Sequence, residues 1–397
     1  MRLLILCFFI PAIGLCQTTI NAEQFFVLGL SSFEQTKKPV PEKVVFPWID
    51  KYEFRTETRD FDVEQQEYTI RLSPSSAKVR NAQKALYNEW KNAPDFEGQE
   101  IFCDLKLSLH LDWLTFYILK EKQSLLDDWT VLLKDKQTIY EKMMATYAFD
   151  VEKMVKLRTD KSNLDIARNK QNIEWNYLLQ KYNMQDVEMD FNDFITVETI
   201  LAQLTENNPF PKTFEIIDVE AEYKKTLLNK EIELELSEKK KTIDFLQFRY
   251  NGPHSDPLEE RLSVGLGVQL FNSGSKKLKL YELQIEQEEL RRETERKMQE
   301  RKANLNDLRD ELEKDISIFF HLEELMQAER RQLQNLSRRI AQKEGTSPIL
   351  LLDIEERHLL MKMEALKQKE DLLKDYIKYV RQSGKMCDTN STNFLTQ

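Results

Sequence analysis

The sequence predicts a mainly α protein with a small β part, arranged as two copies of a hairpin, long helix, turn and shorter helix. Glycine is scarce, 9 residues of 397, while 32% of residues are charged. That balance suits long, solvated helices better than a compact α/β enzyme. Two stretches, from Gln99 to Asn208 and from Ser275 to Glu344, contain neither glycine nor proline. Short apolar runs of period two stand ahead of both, as strands would.

The chain opens "MRLLILCFFIPAIGLCQTT". Arg2 precedes an apolar run from Leu3 to Ile10, and Gly14 and Cys16 supply small residues ahead of a cut before Gln17. Residues 1–16 are therefore expected to be a signal peptide, with the chain exported; the apolar run is too short for a spanning helix. A lipoprotein cut before Cys16 is the alternative, although it places Leu15 where a small residue is usual. Residues 17–50 are expected to be irregular, because Pro39, Pro41 and Pro47 preclude a long helix.

The first copy spans 51–213. "YEFRTETRDF" (52–61) and "EYTIRLSP" (67–74) form a hairpin, with Glu53, Arg55, Glu57 and Arg59 sharing one face. Helices follow over about 76–183, a long one and a shorter one, then an equatorial segment at 184–213. "DLKLSLHLDW" (104–113) alternates like a strand, yet Leu105, Leu109, Trp113 and Phe116 also line one helical face inside a breaker-free run, so it reads as helix. The turn is placed in "TDKSNLDIARNK" (159–170).

The second copy spans 214–386: a helix at 214–240, a hairpin at 242–271, and helices at 275–343 and 350–383. In its second strand Leu262, Val264, Leu266, Val268 and Leu270 lie on one face, with Ser263, Gly265, Gly267 and Gln269 on the other. An apolar-out, small-polar-in strand of this length fits a membrane barrel, and its small inward residues would leave a lumen open. Met298, Leu305, Leu312, Phe319, Met326, Leu333 and Ile340 recur every seven residues. Leu308, Leu322 and Leu336 fill part of the intervening seam, and Asp315 and Glu329 interrupt it. Such a repeat implies left-handed supercoiling against partner helices, a plain coiled coil included. The second turn lies in "KEGTSPILLLDIEERH" (343–358), and each turn leads into Leu-Asp-Ile: Leu164-Asp165-Ile166 and Leu352-Asp353-Ile354. This internal repeat is the strongest organisational signal in the chain. Residues 387–397 read as a disordered polar tail.

The net charge of −10 argues against nucleic acid as a partner. After signal cleavage only Cys103 and Cys387 remain. An oxidising compartment permits a bridge between them, but two unrelated thiols is the favoured reading. His110, His254, His321 and His358 show no metal-ligand spacing, so no metal or cofactor is expected. Gly274 is followed by "SKK" with no glycine five residues earlier, which excludes a phosphate loop. The chain is not expected to be an enzyme.

"VGLGVQLFNSGSKKLKLYELQIEQEEL" (264–290) and "EGTSPILLLDIEERHLLMKMEALKQKEDLLKDYIKYVRQSG" (344–384) resemble the TolC-type outer-membrane efflux family, in the last barrel strand with its turn and in the final helical hairpin. The resemblance implies a homotrimer with a twelve-stranded β-barrel in outer-membrane lipid and a periplasmic α-helical tunnel. It also implies a periplasmic adaptor and an inner-membrane pump as partners. Barrel-strand and turn residues would be Leu262, Val264, Gly265, Leu266, Gly267, Val268, Phe271 and Gly274. Residues at the periplasmic tips, where charges gate the tunnel and meet the adaptor, would be Arg158, Asp160, Asp165, Glu344, Gly345 and Asp353. Three departures stand out: Gln269 where proline is usual, Leu350 and Leu351 where an acidic residue is common, and no long helix ahead of the first strand.

The function expected is passive transport of small molecules or peptides from the periplasm outward, as one component of an efflux or secretion system. The missing first helix motivates an alternative: a non-conducting structural or assembly protein of the outer membrane or periplasm. A soluble coiled-coil scaffold is a further reading, suggested by the charged face of 52–61.

Overall fold

The computed structural model describes residues 19–31, 44–58, 66–93, 95–144, 151–184, 187–206, 215–239, 243–252, 261–268, 274–341, 348–387 and 393–396. In chain order the elements are β1 (Thr19–Ile20), α1 (Ala22–Ser31), β2 (Ile49–Thr58), β3 (Gln66–Pro74), α2 (Ala77–Lys91), α3 (Phe96–Met143), α4 (Val151–Lys181), β4 (Glu188–Met189), α5 (Val197–Glu206), α6 (Glu215–Lys239), β5 (Ile243–Asn251), β6 (Leu262–Val268), α7 (Gly274–Ala341) and α8 (Pro348–Gln382), then a 3₁₀ turn at Lys385–Cys387. They fall into two compact units.

One unit comprises residues 36–96 and 214–300. Its centre is an antiparallel sheet of order β2-β3-β5-β6, so the two hairpins, far apart in sequence, lie side by side through β3 and β5. The sheet is open, with β2 and β6 at its edges. Ser76 caps α2, its Oγ accepting from the Val79 amide at 3.2 Å. The Arg80 guanidinium lies 3.5 Å over the Trp48 ring, fixing the approach to β2. Helix α6 and the start of α7 are joined by the Lys279–Glu235 ion pair and by a 2.9 Å bond from Gln287 to Asn229, with Leu228 and Leu283 buried.

The other unit comprises residues 1–35, 97–213 and 301–397. Its core is aromatic: Phe25, Phe26, Trp113 and Phe116 are fully buried, and Tyr117 stacks on Phe194 at 3.8 Å between centroids. The seven-residue seam of α7 is buried at Leu305, Leu312 and Phe319 and only half-buried at Leu322, Met326 and Leu333. Ile316 takes up the burial that its neighbour Asp315 forgoes.

Several expectations need correction. The N-terminal segment expected as irregular contains α1, whose Phe25 and Phe26 are core residues. The prolines at 39, 41 and 47 prevent a long helix and leave the ten residues upstream free to form a short one. Asn21 caps it, its Oδ1 accepting from the Gln24 amide at 3.0 Å, while the Asn21 amide donates to Gln24 Oε1 at 3.2 Å.

The helices expected over about 76–183 are α2, α3 and α4, but 159–170, expected as the turn between a long helix and a shorter one, lies inside α4. Burial of Leu157 and Leu164 on one face outweighs the local preference of that Ser, Asn and Asp cluster. The hydroxyls of Thr159 and Ser162 bond back to the carbonyls of Val155 and Arg158. Residues 145–150, which separate α3 from α4 in sequence, lie outside the described residues.

The two thiols form a disulfide across 284 residues, with Cα atoms 4.9 Å apart. Residues 393–396 of the tail are part of the fold as well. Leu395 is fully buried, its carbonyl accepts from the Ile195 amide at 2.8 Å, and Thr396 bridges to Phe194. His110, fully buried, donates from Nδ1 to the Lys106 carbonyl at 2.7 Å and accepts at Nε2 from the Phe394 amide at 3.3 Å. Burial lowers the His110 pKa to about 4, so the ring is neutral and Nε2 is free to accept.

Two outcomes are expected. A histidine whose pKa is depressed on folding contributes stability that is complete above the unfolded value of 6.5 and is lost as pH falls toward about 4. The loss should reach roughly 3 kcal/mol, and His110→Gln should flatten the slope of denaturant midpoint against pH in that window. Cys387→Ser should lower unfolding stability by about 2–5 kcal/mol in the chain-entropy account, read as a denaturant midpoint that the wild type shows only after reduction.

Candidate functional site

The sheet segregates its side chains by strand parity. The registered rows Tyr52–Leu72–Leu246–Leu266, Phe54–Ile70–Phe248–Val264 and Thr56–Tyr68–Tyr250–Leu262 fall on one face. That face is apolar and open: Val264 is 72% exposed, Tyr52 69% and Phe54 63%. Tyr68 stacks between Phe54 and Tyr250, at 6.2 and 6.3 Å. A contiguous exposed apolar surface of this kind is a contact surface rather than a solvated one.

The other face carries the rows Glu53–Arg71–Gln247–Gly265 and Arg55–Thr69–Arg249–Ser263. Its charges are paired within the sheet. Glu53 lies 2.6 Å from Arg55 and 3.7 Å from Arg71, Arg71 donates to Gln247 at 3.0 Å, and Arg249 lies 3.3 Å from Glu67. The charged residues of β2 thus belong to a polar face continuous across the sheet. Gly267 does not leave space open, as the sequence suggested. The Phe245 ring lies across it, so that a Cβ there would come within 2.4 Å of the ring, and Arg71 caps that ring at 4.3 Å.

Of the strand residues singled out, Leu262, Val264, Leu266 and Val268 lie on the apolar face and Gly265 and Gly267 on the polar one. Gly274 begins α7, while Phe271 lies outside the described residues. The β2 and β3 aromatics that complete the apolar face were missed. The charges of β2 drew attention to its opposite side, although Tyr52, Phe54 and Tyr68 alternate with them.

In the other unit, the C-terminal end of α3, the start of α4 and the start of α8 share a small core of Leu126, Leu133, Tyr140, Met154, Leu157 and Ile349. Lys136 is buried beside it, with Nζ 2.6 Å from both Asp353 and Glu356. Burial pulls the lysine pKa down, but the two carboxylates outweigh it and hold the group above its ordinary value. Asp353 is therefore tied to α3. Arg158, Asp160 and Asp165 lie within α4 rather than at a turn, and Glu344 and Gly345 fall outside the described residues. Lys136 and Glu356 carried no sequence signal, because lysine on a charged helix ordinarily faces water.

Among the described residues no group of three or more His, Cys, Asp or Glu is placed to hold a metal, and no helix is long and apolar enough to cross a membrane. The second statement does not bear on a β-barrel.

No protein-family model matches the chain, and no curated protein sequence matches it. Solved structures do. The outer-membrane channel OprN aligns with a TM-score of 0.58 at 12% identity, over 84% of this chain and 80% of its own. The outer-membrane protein VceC of Vibrio cholerae gives 0.53 at 10%, over 84% and 85%. The open state of the MtrE outer-membrane channel of Neisseria gonorrhoeae gives 0.52 at 13%, over 84% and 79%. All three are TolC-family channels, and at these identities the likeness is one of fold.

Removing the lysine while leaving its carboxylates should be costly. Lys136→Met is expected to destabilise by about 1–3 kcal/mol, discounted from a fully buried pair because Asp353 is half exposed. Hydrogen exchange at the start of α8 should quicken, and the triple variant with Asp353→Asn and Glu356→Gln should recover much of the loss.

Proposed function

We propose that the chain is an outer-membrane channel subunit of TolC type. It assembles as a homotrimer whose three sheets join edge to edge into a twelve-stranded barrel, and it passes small molecules or peptides outward from the periplasm as one part of an efflux or secretion system. Residues 1–16 serve as the export signal. The observation that carries this reading is the two-faced sheet: an apolar face for lipid, a polar face for a wet lumen, and two edges, β2 and β6, that have no further partner strand among the described residues. A sheet with unpaired edges is not viable in hydrocarbon until it closes.

Self-association has separate support in the helices. Val151, Val155, Ile166, Ile173 and Tyr177 are all more than half exposed and fall within about 80° of one another around α4. Ile318, Leu325 and Leu336 make a second open stripe on α7. Neighbouring copies would cover both. The work is geometric and needs no chemistry from any side chain. Asp353, with Glu356 and Lys136, would stand near the periplasmic end that meets an adaptor and its inner-membrane pump.

The non-conducting structural reading is favoured by one observation. Among the described residues the helix preceding β2 is α1, ten residues long and a member of the other unit's core, where a long wall helix would be needed.

The barrel reading predicts a difference between adjacent residues. Val264→Arg should cost about 2–4 kcal/mol of membrane-inserted stability, the range for an arginine on the lipid face of a barrel, while Ser263→Arg, opposite Arg249 on the polar face, should cost at most about 1 kcal/mol. Recovery of cross-linked trimer from outer-membrane fractions reads this out directly. Equal tolerance of both, or recovery of soluble monomer, would overturn the barrel. A trimer that inserts but gives no current in planar bilayers would favour the structural reading.

A further inference from the structure

Between α3, α4 and β4 lies a groove of about 1290 Å³ that the channel reading does not use. Its apolar lining is Leu119, Trp175, Leu179, Val187 and Met189. Trp175 is held edge-on against Phe116, 5.1 Å between centroids, so the groove has a fixed aromatic wall. Asp127, Asp128 and Glu188 also line it, all exposed. The lysine that lines it, Lys120, donates to the Met189 carbonyl at 3.0 Å and lies 5.3 Å from the Phe191 ring, so its charge is engaged with the wall. Asp127 is paired with Arg168. Asp128 and Glu188 take part in none of the ion pairs among the described residues.

A second observation points to a ligand. Gln171 lines the groove and is 5% exposed. Its amide nitrogen donates to the Leu119 carbonyl at 2.5 Å, and its Oε1 has no hydrogen-bond partner among the described residues. A buried acceptor without a donor is costly, and a bound group that brings an N–H removes that cost.

We propose that this groove is a binding site for a planar aromatic cation bearing N–H donors. The indole of Trp175 and the aliphatic lining take the ring system, Asp128 and Glu188 take the positive charge, and Gln171 Oε1 accepts from an amine of the ligand. The site belongs to one chain and stands whether or not the assembled protein conducts.

The test uses the purified full chain with ethidium, an aromatic cation carrying amine donors, followed by fluorescence anisotropy. The anionic counterpart is 8-anilinonaphthalene-1-sulfonate, which keeps an aromatic system and an N–H. Saturable ethidium binding that quenches tryptophan emission is expected. It should weaken by about tenfold in the surface pair Asp128→Asn with Glu188→Gln, which leaves packing untouched, and should resist competition by the sulfonate. Gln171→Leu should weaken it independently. Unchanged affinity in the surface pair, or displacement by the anion as readily as by unlabelled cation, would overturn the proposal. So would efficient disulfide cross-linking between copies through Ser124→Cys, which would make the groove an interface between chains.

Discussion

The parity of the four strands is the constraint on which the rest depends. The registered rows across β2, β3, β5 and β6 largely put like with like, so the sheet has one mainly apolar face and one mainly polar face. A shift of register by one residue in β2, β3 or β5 would place charge among the aromatics. The aromatic stacking of Tyr68 between Phe54 and Tyr250 and the pairing of Arg249 with Glu67 act on opposite faces to hold the same register. Neither hairpin could show this alone, because β3 and β5 meet only in the folded chain.

The helical unit is held by a different device. Its aromatic core is closed from both ends of its chain segments: α1 supplies Phe25 and Phe26, and the tail supplies Leu395. The disulfide from α3 to Cys387 and the acceptance of the Phe394 amide by His110 secure the tail to α3 at two points. A neutral histidine suits this, since a protonated ring would lose the acceptor and carry a buried charge. Arg381, which reaches Asp104 at 2.8 Å, adds a third tie from the end of α8 to α3.

What could be read from the sequence follows from the range of the interactions. Long helices, the second hairpin and the seven-residue seam are local patterns, and period alone exposes them. The α3–α4 interruption was misplaced because Ser, Asn and Asp in 159–170 signal a turn locally, while the burial of Leu157 and Leu164 is a tertiary fact. The docked tail and the disulfide depend on contacts across 284 residues, for which a polar segment and two scattered cysteines give no pattern. A capping box at Asn21 to Gln24 ahead of Phe25 and Phe26 was a local signal for α1, and the downstream prolines obscured it.

The polar face also constrains what the proposed lumen would do. Each arginine on it faces a carboxylate or an amide of the same sheet, so the face is close to neutral where it is most charged in composition. Paired charges exert a weaker field on a passing solute than a ring of one sign, which favours passage governed by size over selection by charge. Gly267 makes the same argument from sterics. Its missing side chain seats the Phe245 ring beneath Arg71, so the glycine shapes a fixed wall in place of widening an opening. In the proposed barrel, interlocked rings and ion pairs would stiffen the wall, and any gating would then fall to the helices, where Lys136 joins α3 to the first turns of α8.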